Sequence, residues 1–151
     1  MLRLTNLADY SVVVMTAAAR SPDASLSAAV VAVRTGIPAP TVAKVMGLLK
    51  RAGLLASSRG VAGGFRLARA TAAISVADIV EAVDGPIALT SCQHGAPKAD
   101  MLACALEGSC AVRPHWGPIN SAVRAALDAV SLADLAGPGV RSAPAQIEVT
   151  L

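Results

Sequence analysis

Apolar residues in the first part of the chain recur every three to four positions. Leu7, Tyr10, Val14, Met15 and Ala18 share one helical face, Thr5 or Asn6 stands where a cap is needed, and Ser21-Pro22-Asp23 breaks the run. This predicts a first helix over Thr5–Ala19. A second helix opens at Ser27, with Leu26 and Val31 placed as a hydrophobic staple, Val30 and Val33 expected to face inward, and Gly36 as a left-handed C-terminal cap. Ile37-Pro38 begins a third helix, Pro38–Ala52, whose inward residues are Val42, Val45, Met46 and Leu49; Gly53 ends it. Two short helices joined at a glycine match a helix-turn-helix.

The pattern then changes period. Leu54–Arg59 and Phe65–Leu67 flank the glycine-rich Gly60-Val61-Ala62-Gly63-Gly64, which reads as a β-hairpin, the wing of a winged helix. Ser75 and Asp78 form a capping-box pattern with Ile74 and Ile79 as its staple, and the helix they open stops at Gly85-Pro86. Residues 86–111 read as an irregular loop with one turn at Met101–Glu107. A long helix over Arg113–Val130 follows, with Trp116, Ile119, Val123, Ala126, Leu127 and Val130 as an apolar stripe and Pro118 as a point of delay or kinking. Ser131-Leu132-Ala133-Asp134 repeats the capping pattern. The expected fold is mainly α with a small β-hairpin wing. Its parts are a winged helix-turn-helix domain over 1–85, a cysteine-bearing loop over 86–111, a long C-terminal helix within 112–136 and a loose tail over 137–151.

Charge sharpens this reading. The formal net charge of +3 is unevenly spread: residues 1–70 carry nine Lys/Arg against Asp9 and Asp23, a net of +7, while residues 71–151 net −4. A basic half carrying a helix-turn-helix is the electrostatic footprint of a polyanion binder. With one Trp, one Tyr and one Phe, the chain lacks the stacking platforms that single-stranded nucleic acid needs. In double-stranded DNA the second helix of the motif enters the major groove, so Pro40, Thr41 and Lys44 are the candidate contacts, with Ala39, Ala43 and Gly47 on the same outward face. Arg59 begins the wing tip, where Gly60, Gly63 and Gly64 let backbone approach a groove and an arginine can lie in its negative potential. Neither a Ser/His/Asp nor a paired-carboxylate arrangement stands out, so the chain does not read as an enzyme. No segment reaches the ~20 apolar residues of a membrane span, and Asn6, Asp9 and Ser11 interrupt the N-terminal apolar run that would otherwise mimic a secretory signal.

The three cysteines, Cys92, Cys104 and Cys110, fall within nineteen residues. An odd count precludes a complete internal disulfide framework and fits a reduced, cytoplasmic setting. Thiolates select zinc or iron–sulfur clusters. The gaps of eleven and five residues match neither the usual C-x2-C zinc spacing nor ferredoxin spacing, which leaves iron–sulfur, zinc and a thiol switch open.

Several motifs together resemble one family. Leu4-Thr5, Asp9-Tyr10, Gly36-Ile37-Pro38, Gly53-Leu54, Arg59-Gly60-x-x-Gly63-Gly64-Phe65-x-Leu67, Ile79-x-x-Ala82-Val83-Asp84-Gly85 and Cys110-x5-Trp116 look like the IscR/NsrR family of bacterial winged-helix regulators over residues 2–135. Ser91-Cys92-Gln93-His94 and Cys104–Cys110 most resemble the subgroup that regulates SUF iron–sulfur assembly operons. The resemblance implies a DNA-binding repressor and a homodimer built on crossed dimerisation helices (112–136). It also implies a 2Fe–2S cluster on Cys92, Cys104 and Cys110 as metal ligands. Two departures stand out: the family's IscR members have five residues in each gap between their cysteines, where the first gap here has eleven, and they carry a histidine where Arg113 stands here. NsrR-like members use an aspartate of the first helix, which Asp9 matches, and His94, Glu107 and His115 remain competing fourth ligands. A nitric-oxide or redox-sensing repressor on the same scaffold, and an iron–sulfur carrier that does not bind DNA, are the rival expectations.

Overall fold

A computed structural model describes residues 3–60, 63–90 and 109–137. Its helices are α1 (Asn6–Ala19), α2 (Ala28–Thr35), α3 (Ala39–Arg51), α4 (Val76–Asp84), α5 (Arg113–Asp128) and α6 (Leu132–Ala136), with strands β1 (Leu55–Ser58) and β2 (Gly64–Leu67) and a 3-10 turn at Thr71–Ala73. The predicted ends shift by a residue or two because Thr5, Pro38 and Ala52 are caps rather than helical residues.

The core is assembled from the stripes the periodicity marks. Val14 and Met15 of α1, Val31 of α2, and Val42, Val45, Met46 and Leu49 of α3 join Leu54, Leu55, Ile74, Ile79 and Leu132 in one buried cluster. Helix α2 departs from expectation. Val33 is 87% exposed and Val30 41%, while Val31 is fully buried. The Ser27 hydroxyl accepts from the Val30 amide and fixes the start of the helix, and the inward stripe then runs Ala28, Val31 and Ala32. An eight-residue helix made almost wholly of Ala and Val is apolar all round, so its sequence does not reveal this register.

The hairpin pairs Leu55 with Leu67 and Ser58 with Gly64 in antiparallel register. A third partner joins it: Leu26 and Phe65 exchange both backbone hydrogen bonds, at 2.8 and 2.9 Å. The stretch just before α2 thus ties the wing to the helix-turn-helix. Gly64 is needed for this approach, because a Cβ there would stand 2.7 Å from Ser25 Oγ and 3.0 Å from the Leu26 carbonyl.

A second backbone bridge closes the other end of the molecule. The Val76 amide donates to the Val130 carbonyl at 2.9 Å and the Leu132 amide to the Ile74 carbonyl at 2.8 Å. Ser75 therefore lies opposite Ser131, and each opens its own helix with a complete capping box, to Asp78 and to Asp134. Through Leu132, α6 reaches the buried cluster that also holds Val14 and Met15 of α1. Helix α5 ends at Asp128, short of the expected Val130, and its apolar stripe is only partly covered by the described residues. Leu127 packs beside Ala8, Val76 and Val80, Trp116 and Val123 are half-buried, and Ile119 and Val130 are exposed. The Asn120 side chain is buried and its Oδ1 accepts from the Leu89 amide at 2.9 Å. Glu81 accepts from Arg124 Nε at 3.2 Å, and that bond, more than any other cause, raises the guanidinium pKa.

The Asp134 carboxyl is held below its ordinary range, first by the Ser131 hydroxyl and then by the Ser131 amide. A depressed carboxylate stabilises the fold above its unfolded-state pKa, and the contribution disappears as pH falls through the lowered native value. The gap in urea midpoint between the wild type and Asp134→Asn is therefore expected at neutral pH and should close in acid. A gap that persists unchanged below the carboxylate range would contradict the cap geometry.

Candidate nucleic-acid interface and cysteine site

The proposed reading surface has two parts. On α3, Val42, Val45, Met46 and Leu49 are fully buried, which turns the opposite face out: Pro40 and Lys44 are exposed and Thr41 is half-buried. Lys50 and Arg51 lie exposed in the last turn, where cations also favour the helix dipole. A Cβ on Gly47 would meet nothing within 4 Å, so no neighbour among the described residues requires that glycine.

On the wing, Arg59 and Gly60 are exposed just beyond β1. Gly60 adopts φ +110°, a region glycine tolerates and L side chains rarely enter. Gly63 and Gly64 are half-buried and serve the hairpin itself. The Gly63 amide donates to the Gly60 carbonyl at 2.8 Å, and a Cβ on Gly63 would fall 2.7 Å from the carbonyl oxygens of both Gly60 and Ser58. These two glycines are thus accounted for by the tip and by the Leu26 strand. Arg69, just past the wing, sits 3.7 Å from Asp78 at the head of α4. Sequence reading missed this contact and the Leu26 strand, since neither leaves a local signal.

The predicted metal ligands divide between described and undescribed segments. Cys92, His94, Cys104 and Glu107 lie outside the described residues. Cys110 is half-buried two residues before the Val112 cap of α5, and its carbonyl accepts from the Arg113 amide. His115 is exposed in the first turn of α5, and Asp9 is exposed in the first turn of α1. Among the described residues no three His, Cys, Asp or Glu side chains gather into a metal-sized group. One link ties α1 to the cysteine segment. The Thr5 hydroxyl, which caps α1 by accepting from the Ala8 amide at 3.1 Å, donates to Asp84 at 2.8 Å, at the end of α4 from which residues 86–111 depart. Thr5 and Asp84 are 79 positions apart, so only the fold reveals the pair.

Residues 4–138 match the family described as "Rrf2: Iron-dependent Transcriptional regulator". The chain belongs to the Rrf2 family. Among its Rrf2 relatives, IscR of Photobacterium profundum is 33% identical over 135 residues, 89% of this chain and 75% of the relative. A putative HTH-type transcriptional regulator, ORF2 of Azotobacter vinelandii, is 30% identical over 89% of this chain and 79% of the relative. In structure, the Rrf2 fold here is similar to CymR, the global cysteine regulator of B. subtilis, with TM-score 0.67, 26% identity and coverage of 90% and 97% of the two chains. It is also similar to T. potens IscR, with TM-score 0.64, 26% identity and coverage of 89% and 85%. The expected class is therefore established: a mainly helical, winged-helix, DNA-binding transcriptional regulator, not an enzyme. No helix among the described residues of this Rrf2 chain is long and apolar enough to cross a membrane.

Proposed function

We propose that this chain is a cytoplasmic, homodimeric repressor of iron–sulfur assembly genes, of the SUF-regulating kind, which senses cluster supply through a 2Fe–2S cluster. The placement of Cys110 carries the reading. A lone structural cysteine is usually a buried small hydrophobe, whereas Cys110 is half-buried outside the core, at the junction of the cysteine segment with α5. Three soft thiolates, at Cys92, Cys104 and Cys110, suit an iron–sulfur centre, and the family description names iron dependence. Asp9 of the partner subunit completes the set, and His94, Glu107 and His115 are its alternatives. When bound, the cluster supplies a centre that is lost or altered when cluster supply or redox conditions change. Asp9 stands in the turn capped by Thr5, so a load on it bears on the Thr5–Asp84 link and on the α1 packing beneath the helix-turn-helix. A coupling of ~1–3 kcal/mol between the two sites would give a 5–150-fold change in DNA affinity. The exposed Ile119 of α5 and Val130 just beyond its end supply apolar surface for the second subunit.

Anaerobic purification with an absorption spectrum and iron and sulfide assay tests the reading. The wild type is expected to be coloured and to hold iron and sulfide, the Cys92/Cys104/Cys110→Ala variant to hold neither, and Asp9→Ala to have an altered spectrum. Wild-type iron and sulfide in the triple variant would sink the site. The similarity to CymR favours a second reading, a cluster-free thiol regulator, for which the wild type would be colourless and still bind duplex DNA.

On DNA, Pro40, Thr41 and Lys44 of α3 enter the major groove and Arg59 and Gly60 of the wing approach the flanking groove. If Lys44 meets a phosphate, Lys44→Ala weakens binding to every duplex and lowers the slope of log K against log salt by ~0.9. A slope unchanged in both Lys44→Ala and Arg59→Ala would overturn this docking.

A further inference from the structure

A groove on the opposite side of α1 from its core stripe has no role in the function proposed above. Its floor is Val12, Val13, Thr16 and Ala17 of α1, its far wall is Thr35 of α2, and Arg20 and Arg34 stand at its rim around a cavity of about 650 Å³. Thr16 and Thr35 spend their hydroxyl protons on the Val12 and Val31 carbonyls, which leaves the floor largely apolar. Val13 is 38% exposed. Val30, one turn before Arg34 on α2, is 41% exposed. Among the described residues neither rim arginine has a carboxylate partner; Arg34 makes only a long contact of 3.5 Å to Ser21 Oγ.

We propose that this α1–α2 groove is a docking surface for a second protein, through an acidic segment carrying aliphatic anchors. The two kinds of group present each fix one property of the occupant. The unpaired guanidiniums select carboxylates, which they can engage in two parallel hydrogen bonds. The valines select aliphatic side chains and disfavour a sugar–phosphate backbone, which offers them nothing to bury against. An amphipathic helix with glutamates flanking leucines presents both at i, i+3 and i+4 spacing. The inference rests on the reading of the chain as a DNA-bound regulator only in its purpose, recruitment of a protein to the bound site; the binding itself is measurable without DNA.

The test uses the full chain and two fluorescein-labelled helical peptides, one with glutamate and leucine at those spacings and one with serine replacing leucine. Fluorescence anisotropy is expected to show binding of the glutamate–leucine peptide and at least tenfold weaker binding of the serine peptide. Arg20→Gln/Arg34→Gln and, separately, Val13→Ser should each weaken the first peptide several-fold, with unchanged helicity by circular dichroism. Binding of both variants to a mixed-sequence duplex should keep the wild-type salt slope. A slope lowered by ~0.9 for each arginine removed would make the groove a phosphate contact and overturn the proposal. So would a change of sedimentation state in Val13→Ser, which would make the occupant a second copy, or equal binding of the two peptides. Failure of the cluster prediction leaves all these readouts untouched, and failure of DNA binding leaves the peptide and sedimentation readouts untouched.

Discussion

Leu132→Ala is expected to destabilise the protein by about 2–5 kcal/mol, the range for truncating a fully buried leucine. Leu132 has no exposed surface and belongs to the same core cluster as Met15, Leu49 and Ile79. Its amide also closes the bridge to Ile74. Truncation leaves a cavity that the short helix α6 cannot fill without breaking that bridge. Against a total of about 5–15 kcal/mol for a typical domain, the loss is large. Urea unfolding followed both by far-ultraviolet circular dichroism and by the fluorescence of Trp116 on α5 reads it. A midpoint shift corresponding to less than about 1 kcal/mol, half or less of the usual cost of such a truncation, would mean that α6 is not docked on α1 and the Thr71–Ala73 turn.

Gly63→Ala is the second large effect. The obstacle is space: the new Cβ would lie 2.7 Å from two carbonyl oxygens, of Gly60 and Ser58, and both belong to the backbone, so the tip itself must open. Overpacking of this kind costs about 1–3 kcal/mol. The wing remains tethered through Leu26 and Phe65, so the strain falls on the tip that carries Arg59. DNA binding should weaken and lose the Arg59 share of the salt slope, while the α3 contribution persists. Gly63→Ala with wild-type stability and wild-type slope would show that the tip is not the tight turn described here.

The elements that were legible in the sequence are those set by local rules. The Ser75/Asp78 box, the Gly36 cap and the Val42–Leu49 stripe each depend on residues within a few positions of one another, and the fold has all three. Helix α2 has the expected Ser27 and Gly36 caps but turns Val31, not Val30 and Val33, inward, because alanine and valine on every side carry no direction. Leu26 is buried in the same cluster as Val31, its expected staple partner, but its backbone pairing with Phe65 depends on a chain reversal no local pattern encodes. The same holds for Thr5 with Asp84 and for Ser75 with Asp128, which joins α4 to α5 at 2.8 Å. At the candidate site, the outward face of α3 followed directly from its buried face. The cysteine ligands rest on resemblance, since their spacing matches no common site, and of the three cysteines only Cys110 lies in the described residues.

The bridge between Ser75 and Ser131 also bears on how the protein is made. Ribosomes release chains from the N-terminus at roughly 5–20 residues per second, and domains usually fold as they emerge. Here the core around Met15 and Val14 of the first helix is closed by Leu132 of the sixth. The reading head therefore lacks part of its core until residue 132 has left the exit tunnel. For several seconds of synthesis a nascent chain exposes the α1 surface that α6 will cover. A ribosome stalled before Ser131 should hold a chain that proteases cleave within α1, and one stalled well beyond Ala136 a chain that resists them.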